Sequence, residues 1–491
     1  MDSFSSRLDG FARSILLSAL LAGAAFICMR GNGIADPDIW WHLRTGEWIL
    51  NHGAVPHADP FSILGMARPW EAYSWLFDLL ALKLFLRWGL VGLVSYSTGM
   101  VLAIAAAIYH LARRLQSDFA VVVLLTFVAI VCISPLFTPR PWLFTILFFV
   151  LETDVLMHVR KGGKTRDLVW LPLMFALWAN LHIQFIYGLL MLGAAALEPT
   201  AAVWRTKEKT ALGPLKLWGL FVACCLATLV NPYGWGIYRT AYGLASQSGV
   251  LSTVSEMQSM SFRQFSDYAV LFLALGAVGA LAWNRRFPLF ETGMLTFATI
   301  VSFRSLRDAW VVAVLAIAVL ASELPSEGRE RGKLPALALL LVTGAVGLLV
   351  FLSAAVLEVS NPRLQELVAK EEPVRAVQFA KDHNFGGSLY NTYDWGGYLI
   401  WNLPALPVSI DGRAALHGDQ RIDRSLATWN GERGWASDPM LSSARLVIAP
   451  IRKPLAQLLR MDSRFELAFE DNVAAVFIAR NYQSPVAVPT H

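Results

Sequence analysis

Apolar runs recur along this chain at lengths that match a lipid bilayer, and that recurrence limits the fold before any motif is considered. A helix of about 17–25 apolar residues crosses roughly 30 Å of hydrocarbon. Such runs cover 14–29, 90–111, 118–137, 141–158, 183–203, 215–231, 267–284, 288–303, 308–322 and 334–357, with a shorter one at 168–180. Apolar residues make up 56% of the chain and charged residues only 16%, far from the balance of a soluble domain. The expected class is a polytopic α-helical membrane protein of about 11 spans. The first run leads into Cys28-Met29-Arg30 with no small-x-small site, so it reads as a retained span rather than a cleaved signal.

Lysine and arginine set the expected orientation. With a cytoplasmic N-terminus and alternating spans, the inner segments hold 17 basic residues, among them Arg113, Arg114, Arg160, Lys161, Lys164 and Arg166. The outer segments before the last span, apart from an apolar stretch at 72–88, hold eight: Arg30, Arg44, Arg68, Arg140, Arg239, Arg263, Arg304 and Arg307. An odd number of spans then leaves the C-terminal tail outside the cell. The net charge of +5 follows from this inner-loop bias and gives no reason to expect a nucleic-acid partner. All four cysteines, Cys28, Cys132, Cys224 and Cys225, fall in or beside spans, so no structural disulfide is expected in the external parts, and no Cys/His spacing suggests zinc.

Two segments outside the spans are large. Residues 31–89 form an outer loop whose 72–88 stretch carries Asp78, Lys83 and Arg87. Counting that stretch as a span would invert every later loop, so it is expected to be an interfacial or half-inserted helix. The domain division is therefore 1–357, a membrane domain including this loop, and 358–491, a soluble extracytoplasmic α/β domain. Within the tail, 373–383 and 454–461 read as helices. Strands are expected at 388–393, 407–410 and 445–449, with a hairpin from 465–469 and 474–479 around Glu470-Asp471-Asn472.

The candidate chemistry begins in Asp36-Pro37-Asp38-Ile39-Trp40-Trp41-His42. Aspartate followed by proline is a helix start, with Asp36 as cap and Pro37 at the first helical position. Asp38 then lies in the first turn, where the helix dipole favours its charged form, and His42 lies one turn later on the same face. Such a carboxylate can take a proton from a hydroxyl or, with Asp36, ligate a divalent cation such as magnesium or manganese. Trp40, Trp41 and Trp48 are expected as interfacial anchors, and Glu47 and Glu71 as secondary acids. Further polar residues gather at outer span ends: Arg140, Asn180, His182, Gln184, Asn231, Glu256, Gln258, Arg304, Arg307 and Asp308. Each alone suits a cap or an interhelical bond; together they are expected to line one outward cavity. Arg140, Arg304 and Arg307 could clamp a phosphate with bidentate geometry, or anchor to headgroups. In the tail, Asp394 and the Asp411-Gly412-Arg413 turn stand beside aromatics, which suits sugar contact; Asp-Gly is also an ordinary turn.

On these residues the chain resembles the GT-C superfamily of membrane glycosyltransferases. Within it, the resemblance is to a broad, largely uncharacterised group of bacterial multi-span proteins. The shared features are Asp38, Trp41, His42, Arg44, Gly46, Glu47 and Trp48; Asn231-Pro232-Tyr233-Gly234-Trp235; the basic turn Arg304–Arg307; and the tail's Tyr393-Asp394-Trp395-Gly396-Gly397-Tyr398 with Ile410-Asp411-Gly412-Arg413. Where that group has Glu-Trp-Gln-Ser-Pro, this chain has Glu256-Met257-Gln258-Ser259-Met260. The resemblance implies transfer of a sugar from a polyprenyl-phosphate donor to a lipid, glycan or protein acceptor on the outer face. Asp38 would deprotonate the acceptor, His42 orient it, and Arg304 or Arg307 with Arg140 hold the departing phosphate. The competing reading is a non-catalytic lipid-glycan handler, such as a flippase or assembly subunit, which should carry polar groups at mid-span depth.

Overall fold

Among the described residues, seven helices are long and apolar enough to cross a membrane: Gly10–Arg30, Leu90–Leu115, Phe119–Leu136, Trp142–Arg160, Phe185–Trp204, Phe265–Trp283 and Leu337–Val356. The computed structural model describes residues 2–31, 36–65, 68–206, 213–246, 257–326 and 336–480. The other four expected spans are also helices, but shorter: Leu171–Leu181, Pro214–Thr228, Leu289–Arg304 and Ala309–Glu323. At 1.5 Å per residue they reach only about 16–24 Å, less than the hydrocarbon thickness. The protein is a multi-pass helical membrane protein for which length alone assigns seven spans.

The chain divides into two units, and the first gathers Met1–Gly33, Val94–Trp235 and Glu256–Val359. Its innermost element is Ala309–Glu323, where every residue from Ala309 to Ala321 is buried. That sequence is apolar on all sides, as a helix surrounded by other helices must be. It packs against Phe265–Trp283, Leu289–Arg304, Phe119–Ile133 and Trp142–Arg160. Leu337–Val356 is the opposite case. It is equally apolar, yet most of it is exposed, with Leu337, Leu340, Phe351 and Val356 each about two-thirds or more accessible. So much apolar surface would be costly in water and is natural against lipid. At one end of Trp142–Arg160, Arg160 pairs with Glu198 and donates to both oxygens of Glu291 at 3.0 and 2.9 Å, tying three helices together.

The second unit comprises Ile34–Leu93, Gly236–Ser255 and Ser360–His491, so the first loop is built into the same body as the tail. Helix Ile39–His52 packs on Trp75–Trp88 and on Gly396–Asn402. Gly46 permits the first contact: a Cβ there would lie 2.4 Å from the Asp78 carbonyl oxygen. The 72–88 stretch is thus a 14-residue helix, Trp75–Trp88, too short to span.

Four strands form the sheet: β1 (Leu389–Asn391), β2 (Leu446–Pro450), β3 (Phe465–Glu470) and β4 (Ala474–Ala479), in the order β1-β2-β4-β3. β1 runs parallel to β2, and the other pairs are antiparallel. Strands β2 and β4 are apolar along their whole length and buried on both faces, the expected pattern for central strands covered by helices. Their core is built from Tyr390, Trp429, Val447, Leu455 and Phe477. The β3–β4 turn is fixed by Asp471, whose Oδ1 accepts the backbone N–H groups of Val473 and Ala474, both at 2.8 Å. The expected strand at 407–410 shrinks to bridges from Val408 to Leu389 and to Ser62. The Ile63 N–H donates to the Val408 carbonyl at 2.9 Å, and the Val408 N–H to that of Phe61 at 3.2 Å. The first loop therefore extends the tail's sheet.

Candidate functional site

The residues singled out from the sequence fall in two polar clusters, one in each unit. In the second unit the helix starts later than its sequence suggests: Ile39 is the first helical residue and Asp38 the N-cap, its carboxylate making no cap bond. Asp36 does the local work. Its Oδ1 accepts the Asp38 N–H at 3.0 Å, closing the turn through Pro37 and satisfying a donor the helix leaves over. Both acids are more than nine-tenths buried.

The Asp38 carboxylate lies against the tail's Asp411-Gly412-Arg413 turn. A Cβ on Gly412 would fall 1.7 Å from Asp38 Oδ1, and one on Gly397 would fall 2.5 Å from the Pro37 carbonyl oxygen. Two motifs more than 350 residues apart thus pack backbone to side chain at positions only glycine can occupy. The turn is held rigidly. Asn391, at the end of β1, donates to the Ile410 carbonyl at 2.8 Å and accepts the Ser409 N–H at 2.9 Å. Arg413 donates through Nε and Nη2 to the two oxygens of Asp411 at 2.8 and 2.7 Å, and through Nη1 to Asp59 at 2.6 Å. Its guanidinium also lies over the rings of Trp70 and Phe61. Asp59 further accepts the Phe61 and Ser62 N–H groups and the Ser62 hydroxyl. Burial pushes the Asp411 carboxyl up, but the charges and hydrogen bonds of Arg413 and His417 outweigh it and hold that carboxyl well below the usual range. Asp411 and Arg413, expected at a sugar, are buried and consumed by each other and by Asp59; they position the turn. Asp394 is exposed and remains accessible to a ligand.

His42 Nδ1 stands 2.5 Å from Asp78 Oδ1, both side chains buried. It stacks on Trp41 and meets the Phe77 ring edge-on. The carboxylate fixes which ring nitrogen faces the helix pair, a positioning arrangement. The tryptophans depart from the interfacial expectation. Trp40 is 5% and Trp41 6% exposed, the first against Tyr398 and Phe85 and the second against Trp70. Glu47 pairs with Arg44 one turn back, and Glu71 accepts from the Thr240 hydroxyl.

The first unit holds the basic cluster. Trp142 begins its helix, and its indole is approached by two guanidinium groups: Arg140 at 4.9 Å and Arg307 at 5.4 Å from a ring centroid. His182 follows helix Leu171–Leu181 and sits close enough to both arginines to feel their charge. Burial first, then Arg307 and Arg140, lower its pKa to about 3. Its Nδ1 is 2.8 Å from the Thr145 hydroxyl, which already accepts the Trp178 indole N–H at 2.8 Å. The low pKa leaves the imidazole neutral, with one ring nitrogen protonated. Asp308 accepts from Gln184 at 2.8 Å. Arg304 is exposed, one turn from Arg307. The cluster combines two cations, a neutral donor and an aromatic platform, which suits a phosphate. Asn180 is a structural tie instead, donating to the Val230 carbonyl at 2.7 Å. Glu256 lies outside the described residues, but Gln258 next to it accepts the Leu306 N–H at 3.0 Å.

Sequence reasoning passed over Asp59, Asp78, His417 and Glu372. Asp59 was legible only as a turn before Pro60. Glu372 is 8% exposed with Oε2 unpartnered, and nothing around it in sequence marks it. As for a cation, no group of three or more His, Cys, Asp and Glu side chains among the described residues is arranged to hold a metal. Asp36 Oδ1 also accepts the Asp38 N–H. No family model matches this chain, and no curated protein matches it.

Proposed function

We propose that the protein is a GT-C-type glycosyltransferase that moves a sugar from a polyprenyl-phosphate donor to a lipid, glycan or protein acceptor. In this reading it has about 11 spans and lies in the bacterial inner membrane, with the N-terminus cytoplasmic and the tail outside. The single observation that carries it is the basic cluster, where Arg140 and Arg307 share the Trp142 indole beside a histidine kept neutral. A phosphate released from a sugar needs just such fixed cations, already in place as charge develops.

Asp38 serves as the base. It accepts the proton of the acceptor hydroxyl while the acceptor oxygen bonds to the anomeric carbon. The bond from that carbon to the phosphate oxygen breaks, and its electron pair leaves on the phosphate, a charge that fixed guanidiniums such as those of Arg140 and Arg307 stabilise. Asp411, Arg413 and Asp59 act at a distance by keeping Gly412 against the Asp38 carboxylate. The test is transfer of radiolabelled sugar from polyprenyl phosphate by the purified chain in liposomes. Asp38→Asn should abolish transfer while membrane insertion stays normal; undiminished transfer removes Asp38 from the reaction.

One observation favours the second reading, a lipid-glycan handler. Glu152 lies midway along Trp142–Arg160, fully buried, and neither carboxylate oxygen has a hydrogen-bond partner. A handler would translocate the same lipid in the same liposomes without forming a product, and Asp38→Asn would leave it unaffected.

A further inference from the structure

A cavity of about 590 Å³ in the first unit is lined by Arg114, Asp154, Arg166, Asp167, Val169 and Trp170. Asp154 lies 12 residues along its helix from Trp142, so about 18 Å from the arginine cluster; this is a separate site. Its lining balances two guanidiniums against two carboxylates, which suits an occupant carrying both signs of charge. Asp154 is 8% exposed. Its Oδ2 accepts from Arg114 Nη1 at 2.8 Å, with His110 Nε2 3.8 Å away, while its Oδ1 is buried without a hydrogen-bond partner. An orphaned carboxylate oxygen at a cavity wall calls for a donor from the occupant. Across the cavity, Asp167 is engaged by His158 at 3.5 Å. Arg166 is three-quarters exposed, its nearest carboxylate oxygen 4.0 Å from Nε, beyond hydrogen-bond range. Beyond the charged wall the surface turns apolar and open, with Val169 74%, Trp170 39% and Leu173 77% exposed.

We propose that this cavity binds the phosphoethanolamine headgroup of a phospholipid. The primary ammonium donates to Asp154 Oδ1, the phosphodiester meets Arg166 and the remaining N–H groups of Arg114, and the acyl chains run along Val169 and Leu173. A trimethylated ammonium has no N–H to give Asp154, and an anionic headgroup without a cation would leave Asp154 Oδ1 without its donor. The site is independent of sugar transfer.

The experiment is native mass spectrometry of the full chain in detergent, titrated with phosphatidylethanolamine, phosphatidylcholine and phosphatidylglycerol of identical acyl chains. The wild type should hold phosphatidylethanolamine about tenfold more tightly than phosphatidylcholine, the worth of one charge-assisted hydrogen bond. Asp154→Asn should level the two. Arg166→Gln should weaken both alike, and Trp170→Leu, which leaves every charge in place, should keep the preference. Soluble glycerophosphoethanolamine identifies the source. Displacement of the lipid at matched concentration would make the headgroup alone the ligand, and failure to displace would show that the chains are needed. Equal binding of the two lipids by the wild type, or a preference that survives Asp154→Asn, overturns the proposal.

Discussion

Replacing Gly412 by alanine tests the proposed base without altering its chemistry. The added methyl carbon would sit 1.7 Å from Asp38 Oδ1, 2.7 Å from its carboxyl carbon and 3.1 Å from Oδ2. Real contacts stop near 3.0 Å, so the carboxylate must withdraw by about 1.3 Å. The turn is the less yielding partner. Arg413 grips Asp411 on one side of it and Asn391 grips Ile410 on the other, whereas Asp38 moves by a rotation about its own side-chain bonds. An off-rotamer side chain costs about 0.5–1.5 kcal/mol, so the fold should survive with a small loss of stability. A misplacement of about 1 Å at a reacting group costs about 100-fold in rate. Gly412→Ala should therefore reduce sugar transfer about 100-fold in the liposome assay, with thermal unfolding shifted only slightly. Gly412→Ala with full transfer would refute the placement of Asp38 as base. A variant that fails to fold would show that the turn yields before the side chain does, which also contradicts the argument.

Arg413→Gln leaves Asp59 and Asp411 buried without their cation, and removing one partner of such a group costs about 3–5 kcal/mol. Urea unfolding should show that loss, and Arg413→Lys should not restore it, because lysine cannot bond both Asp411 oxygens. Asp411 is held below its ordinary range. Its stabilising contribution is thus complete above the unfolded carboxyl value and is lost as pH falls toward the folded one. Arg413→Gln should flatten that acid-side slope, and an unchanged slope would assign it to other carboxyls. Glu372 behaves oppositely. Burial first, then the charge of Asp394, raises it to about 8 against the opposing Trp40 hydrogen bond. Its contribution is present below the unfolded value and fades as pH rises toward 8, so Glu372→Gln should raise the melting temperature by several degrees at high pH and change little at low pH. His182, lowered to about 3, stays neutral through the physiological range. His182→Gln should slow transfer about tenfold or more without changing the shape of the pH–rate profile between about pH 5 and 8; loss of an inflection there would contradict a neutral imidazole.

Hydropathy read the helices well because a span must satisfy its backbone within one segment, and nothing distant can change that. The tail hairpin was equally legible: Glu470-Asp471-Asn472 carries its own turn chemistry, and β3 and β4 stand on either side of it. The limit came where length and burial part company. Ala309–Glu323 reads like any apolar span, yet with 15 residues it is short and surrounded by helices, and neighbours that enclose a helix leave no mark in its own composition. The strand at 407–410 failed for a related reason. Its partner is Phe61–Ile63 in the first loop, and β pairing across more than 300 residues has no local signature.

The site shows why a motif can be recognised long before its residues can be given roles. Every shared position of the first loop proved to have a neighbour, and most of those neighbours lie far away in sequence. His42 has Asp78, Gly46 has the backbone of the same helix turn, and Glu47 has Arg44. Gly412 leaves room for Asp38, Gly397 for Pro37, and Arg413 reaches across 354 positions to Asp59. Charge at a lipid boundary therefore marks buried pairing as well as chemistry. A buried charge must be paired whether or not it reacts, and pairing accounts for Asp59, Asp411, Arg413 and Asp36. Asp38 is packed differently: Gly412 stands opposite its carboxylate, and the carboxylate does not cap the helix it begins. A base held this closely in place is what the proposed transfer requires.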